Sequence, residues 1–420
     1  MSNYTLIKCG KLFDGIREEL QENVEIVVKD NKIEEVGKNL SIPNNVNVID
    51  LSSVTVTPGL IDAHVHFQHF NWKERRNEII FHNSSWKAMA FLFNARKSLR
   101  RGFTSIRTVG SSTYDAYGVV NAKKLINMGY FEGSRLVALP HYHYSPGSHG
   151  DHSQYLAENP AVSELMAKTA PTMGCGVDFF RNSVREQVKY GAEFVKIMAT
   201  GGFSTPNDSP EDQQLSDDEM KAIIDTAHEL HKTCTAHVYA GPLMKKLALM
   251  GIDGMEHGAM IDKEACRIME ERDIYLISNM AVYDDVIDIN EESLAKKPIF
   301  FQRKLREYQG RLIEGRKIIL ESNLRLGYGT DFVAVHHPYD SGYEYESWML
   351  SKIDPFRILK AATSINAGIL QMADEIGTIE PGKFADISAW PRDLMTDSKA
   401  LLDCCFVMKD GVAYPTEKSE

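Results

Sequence analysis

Across 420 residues no stretch reaches eighteen consecutive apolar side chains, so no membrane-crossing helix is expected. Cysteine is scarce as well. Cys9, Cys175, Cys234, Cys266, Cys404 and Cys405 show no C-x-x-C spacing, which leaves no zinc ribbon or redox pair, and they read as reduced core thiols. Residues Met1 to Lys8 lack a charged segment leading into an apolar one, and a soluble cytoplasmic protein is expected. Positive charge is in deficit: 47 Lys and Arg face 58 Asp and Glu, for a net charge of −11 and a pI near 5.7. Polyanions are gripped by clustered cations, so neither nucleic acid nor a membrane is an expected partner. A Gly-rich phosphate turn is also missing after the first buried strand, which argues against an open, doubly wound nucleotide-binding sheet.

What the chain does have is organised around Val54 to Phe70, where a β-branched run passes Pro58-Gly59 and delivers His64 and His66. Side chains two apart on a strand share a face, so these imidazoles can share one ion. On an edge strand such a pair is ordinarily just half-exposed. Here Leu60, Ile61, Ala63, Val65 and Phe67 make both faces apolar, as in a buried parallel strand, and buried histidines need partners.

Upstream, Tyr4 to Cys9, Glu22 to Val28 and Lys32 to Val36 read as short strands, the last two joined tightly through Asp30-Asn31. Ala385 to Trp390 and a hairpin over Phe406 to Tyr414, turning at Asp410-Gly411, close the chain in the same style. Residues 1–57 and 376–420 are therefore expected to form one small β-sandwich domain, with residues 58–375 inserted between them. The insert alternates strands with helices. Phe103 to Val109, Arg135 to Leu139, Phe194 to Ala199, Thr233 to Val238, Gly254 to His257, Ile274 to Ser278 and Arg325 to Gly329 follow the first strand. Helices are expected over Ser84 to Arg101, stopped by Gly102, and over Ser216 to Lys232, opened by a Ser216/Glu219 capping box. Eight such strands predict an α/β fold, a (β/α)8 TIM-like barrel.

Barrel chemistry sits at the C-terminal strand ends. There the sequence places His64 and His66, then Lys196 on the fourth strand, His237 on the fifth, His257 on the sixth and Asp331 past the eighth. Lys196 is flanked by Phe194, Val195, Ile197 and Met198, and Glu193 lies on the opposite face, so an ammonium there is costly. A buried amine can instead add carbon dioxide and become an anionic carbamate able to bridge two metals. Four neutral histidines, a carbamate and an aspartate carry about −2, so two divalent ions and one hydroxide leave a site near +1 that attracts an anion. Taken singly, His237 and His257 read as hydrogen-bonded core histidines and Asp331 as a turn residue. Six together at successive strand ends point to a metal centre.

With these residues in place, the chain resembles the amidohydrolase superfamily over nearly its whole length, including Gly377 to Asp386. Its Val195 to Gly202 and Gly254 to Gly258 stretches are most similar to the prolidase and imidazolonepropionase-like group. The resemblance implies two divalent metals, zinc by type, held by His64, His66, Lys196 as a carbamate, His237, His257 and Asp331. It implies hydrolysis of a dipeptide or N-acyl amino acid by a metal-bridging hydroxide, with Asp331 as base and then acid. A substrate with a free carboxylate is expected, met by His149 in Gly147 to Asp151 and by Tyr239, the positions matching those used by Xaa-Pro dipeptidases. A homo-oligomer is expected too. The alternatives are a cyclic-amide hydrolase, a deaminase or a non-catalytic binding relative; Lys196 and the full ligand set count against the last two.

Other histidines are set apart from this centre. His228 and His231 read as a solvated helix face, and His69 and His82 as surface loop residues, with a place lining the pocket as the alternative. His141, His143 and His152 read as a polar, aromatic substrate loop, with a second metal cluster as the alternative, while His336 and His337 suit a pocket rim.

Overall fold

The computed structural model describes residues 3–41, 46–70, 83–112, 117–156, 158–287, 291–333 and 341–417. His82, His336 and His337 lie outside them. The described strands are, in chain order, Tyr4–Leu12 (β1), Gln21–Lys29 (β2), Lys32–Gly37 (β3), Asn47–Pro58 (β4), Leu60–Val65 (β5), Phe103–Ser111 (β6), Arg135–His141 (β7) and Val195–Met198 (β8). Cys234–Ala240 (β9), Gly254–Met260 (β10), Tyr275–Ile277 (β11), Leu326–Gly327 (β12), Ile387–Trp390 (β13), Phe406–Lys409 (β14) and Val412–Tyr414 (β15) follow.

Both chain ends build one seven-stranded sheet, ordered β15-β14-β13-β4-β1-β2-β3. Alternation in β1 and β2 puts Ile7, Cys9, Val24, Ile26 and Val28 into a core shared with Ile387, Ala389 and Met408. A sandwich needs a second facing sheet, and none is built by the terminal strands among the described residues. The long β4 extends the β-branched run at Val54 back to Asn47. It lies parallel to β1 and antiparallel to β13, so it joins the two chain ends and leads through Gly59 straight into β5.

The next eight strands are parallel and fall into two sheets, β5-β6-β7 and β12-β11-β10-β9-β8. Backbone hydrogen bonds cross both gaps between them. Ala63 N–H donates to Tyr328 O at 2.9 Å and His66 N–H to Phe332 O at 2.7 Å on one side; His143 N–H donates to Lys196 O at 2.8 Å on the other. Helices connect the strands, as the apolar periodicity requires. Asn83 caps the helix Ser84–Arg100, accepting from Trp86 N–H, and the expected Ser216/Glu219 box opens Asp217–Glu229. Gly102 has φ +90, and a Cβ there would meet the buried Trp390 ring at 2.6 Å, so this stop signal also lets the terminal sheet pack close.

Candidate metal centre

Strand β5 carries His64 to a fully buried position and ends just before His66. After β12 the chain returns alongside it, and Asp331 N–H donates to His64 O at 2.7 Å. That backbone bond brings three ligand atoms together: Asp331 Oδ1 lies 3.3 Å from His64 Nε2 and 3.4 Å from His66 Nε2.

The tautomers follow from the other ring nitrogens. His66 Nδ1 is 2.8 Å from Gly110 O, which can only accept, so Nδ1 carries the proton. His64 Nδ1 is 2.7 Å from Glu256 Oε2 and donates there. Both Nε2 atoms therefore bear lone pairs aimed at a carboxylate oxygen. Burial is the main cause lowering His66 to about 4, which keeps the ring neutral near pH 7. Burial alone would raise Asp331; positive charge among the imidazoles, a proton or an ion, is what pulls it well below the usual carboxylate range. Three electron-rich atoms facing one another call for a cation between them, and His64 Nε2 is buried without a hydrogen-bond partner. The residues fit a divalent metal.

Lys196 from β8, His237 from β9 and His257 from β10 line the same cavity, a space of about 130 Å³, together with His66 and Asp331. The His237 and His257 ring centroids are 4.6 Å apart, and His257 stands 5.2 Å from His64. His257 Nδ1 is buried with no hydrogen-bond partner. Among the described residues only His64, His66 and Asp331 converge as a ready three-ligand group, so a second ion would need Lys196 as an oxygen donor. Burial lowers the Lys196 ammonium to about 8, against the pull of Glu256 and Asp331. Glu193 does point away, pairing with Lys123 and the Ala138 N–H. Two of the candidate ligands sit in strained backbone, His257 at φ +70 and Asp331 at φ +60, where side chains leave the strand alternation to face the cavity.

Tyr239 lines the cavity and stacks on His257, with ring centroids 5.2 Å apart. Its hydroxyl accepts from Tyr283 OH at 2.7 Å, so its own proton is left to donate elsewhere. His149 is placed differently. Its ring stacks behind His237 at 4.6 Å, and Nδ1 meets Thr205 Oγ1 at 2.7 Å and Asp208 Oδ2 at 3.0 Å. Lys304, buried on the helix Ile299–Glu321, donates to Asp208 Oδ1 at 2.7 Å.

Among the histidines set apart, His69 corrects its expectation: it is buried and lines the cavity, with its carbonyl held by Asn94 Nδ2 at 2.8 Å. His152 also lines the cavity, with Nδ1 2.9 Å from Ser112 Oγ. His141 turns to Gln187 and Tyr117, and His143 to the Lys196 carbonyl, so these three histidines do not converge. His231 is exposed, and His228 is bonded to Asp253 at 2.8 Å. Sequence reasoning missed Glu256 and Arg107. Glu256 directly precedes His257, and neighbours on a strand face opposite ways; only the positive φ of His257 lets both approach His64.

The sequence profile of the amidohydrolase family matches residues 55–412. The ochratoxinase of Aspergillus niger is 26% identical over 417 residues, covering 94% of this chain and 82% of that protein. A solved Xaa-Pro dipeptidase with methionine in its active site superposes with a TM-score of 0.83 at 25% identity, covering 98% of this chain and 100% of its own. The A. niger ochratoxinase structure gives a TM-score of 0.84 at 23% identity, covering 99% of this chain and 96% of its own.

Proposed function

The chain belongs to the amidohydrolase family, and from that premise we propose that it cleaves the amide bond of a dipeptide or N-acyl amino acid with two divalent ions, zinc by type. That it is a hydrolase of C–N bonds follows from the family. The observation that carries the metal reading is the convergence of two imidazole lone pairs on Asp331 Oδ1. His64, His66 and Asp331 would hold one ion, His237 and His257 the other, and Lys196 would be shared. When bound, such ions act as Lewis acids and lower the pKa of water to around 7.

The chain's own groups supply the rest. Burial lowers the Lys196 ammonium to about 8, so the amine is uncharged near neutral pH far more often than an ordinary lysine and can add carbon dioxide. Asp331 turns Oδ1 to the histidines, which leaves Oδ2 to take the proton of the attacking water and return it to the leaving nitrogen. Burial pushes the Tyr239 hydroxyl well up, so it stays protonated and donates either to the developing oxyanion or to the substrate carboxylate. His149 backs the His237 ring and fixes its plane. In this reading β5 to β12 close into one eight-stranded barrel through the two hydrogen-bonded gaps, residues 58–375 are the catalytic unit, and the ends 1–57 and 376–420 pack as its β domain. The substrate carries a free carboxylate, and its dipeptide form is supported by the Xaa-Pro dipeptidase likeness.

Metal analysis after zinc reconstitution, followed by a screen of dipeptides and N-acyl amino acids, tests the proposal. Close to two ions per chain and turnover lost on chelation are the expected results. No bound metal, or no turnover of any member of either library, overturns it.

A further inference from the structure

Below the cavity floor, a second set of charges lies wholly inside the protein. Arg107 on β6 is 1% exposed and Glu256 on β10 is 0% exposed. Arg107 Nε donates to Ala63 O at 2.6 Å, Nη1 to Tyr275 OH at 2.9 Å and Nη2 to Glu256 Oε1 at 2.5 Å. The Phe194 and Tyr275 rings lie 4.8 and 5.6 Å from the guanidinium carbon. One side chain from β6 thus ties together β5, β10 and β11.

We propose that Arg107 and Glu256 are positioning residues: together they fix which nitrogen of His64 carries the proton, and so set the metal affinity of the His64, His66 and Asp331 position. The inference rests on the metal site of the proposed function. Glu256 Oε1 is taken by two donors, Arg107 Nη2 and Thr235 Oγ1, the latter at 2.8 Å. Oε2 is thereby left to accept from His64 Nδ1 at 2.7 Å. With its proton on Nδ1, His64 presents a bare lone pair at Nε2 toward Asp331. The fork of Arg107 is held in three directions at once, so the carboxylate cannot rotate without breaking bonds that leave buried groups unpaired. Neither residue lines the cavity. Each acts through His64, as outer partners of metal-bound histidines do.

The decisive variant is Glu256→Gln, which has nearly the same shape. Arg107 and Thr235 both donate, so the amide must keep its oxygen toward them and turn its NH2 toward His64 Nδ1. That bond then runs the other way, the His64 proton moves to Nε2, and the ligand lone pair is lost. Zinc affinity, measured on the full chain by competition with a chromophoric chelator, should fall about 10- to 100-fold in Glu256→Gln and Arg107→Met, and less in Arg107→Lys and Thr235→Val. Excess zinc should recover part of the activity, which it would not do for a general folding defect. Cobalt substitution gives a second readout, since the visible spectrum of the variant should change with the loss of one nitrogen ligand. Arg107→Lys and Glu256→Gln decide the matter if Arg107→Met does not fold. Wild-type zinc affinity and stoichiometry in folded Glu256→Gln overturn the inference and leave the proposed function standing. A wild-type protein that binds no zinc overturns both.

Discussion

Asp331 is bound to His64 twice over, by a 2.7 Å backbone hydrogen bond from its N–H to the His64 carbonyl and by a carboxylate oxygen 3.3 Å from the His64 ring nitrogen. The first contact makes the second, because at φ +60 the Asp331 side chain swings back over the strand it has just joined. Asparagine tolerates the same left-handed backbone. Asp331→Asn should therefore fold normally, keep near-native melting behaviour, and lose kcat by several orders of magnitude; a variant within tenfold of wild type would remove Asp331 from proton transfer.

Lys196→Ala should lose metal as well as activity, since without an oxygen donor His237 and His257 offer two ligands only. Short-chain carboxylic acids added to the variant should restore part of the zinc content, read by elemental analysis after desalting. Full zinc retention in Lys196→Ala would show that the lysine is no ligand.

Tyr239→Phe deletes one hydroxyl from the cavity and leaves the stack on His257 intact. A loss of about 2 to 4 kcal/mol of transition-state stabilisation, read from kcat/KM, is expected if that hydroxyl meets an oxyanion or a carboxylate. The amidated form of a good substrate should also be turned over far more slowly than the free acid. Equal rates for acid and amide, with Tyr239→Phe fully active, would favour a cyclic-amide substrate.

His143 tests the acid limb of stability. Burial is the main cause lowering its imidazole to about 4, against the backbone carbonyls of Lys196 and Ser183. An unfolded histidine takes its proton near 6.5, so the unfolded chain binds more protons between pH 6.5 and 4, and stability falls as pH drops through that window. The group accounts for about 3 kcal/mol of that fall, 1.36 kcal/mol per pKa unit. Denaturant titrations of His143→Gln should show a shallower pH slope over the window than wild type; an unchanged slope would mean the ring is charged or exposed.

Gly411 sits at φ +76 in the last hairpin, and a Cβ there would lie 2.1 Å from Asp30 O in the first one. Gly411→Ala should destabilise by about 1 to 3 kcal/mol through backbone strain and a clash with a carbonyl that has little room to shift. A thermal melt within a degree of wild type would refute the close approach of the two turns.

By itself the sequence determined the alternation of strands and helices from β5 to β12 and singled out His64, His66 and Asp331, which the fold brings together. Periodicity is a local property, and residues two apart on one strand, such as His64 and His66, share a face wherever the strand packs. Boundaries held within a few residues because caps such as Ser216/Glu219 and turns such as Asp410-Gly411 are local too. Tertiary structure decided what depends on chains meeting at a distance. It joined β4 to both ends of the protein, brought His69 and His152 to the cavity, and set His149 behind His237. It also chose the tautomers of His64 and His66 through Glu256 and the Gly110 carbonyl. No spacing rule reaches these partners, because each lies dozens of residues or more away, and a hydrogen bond is fixed by distance in space, not along the chain.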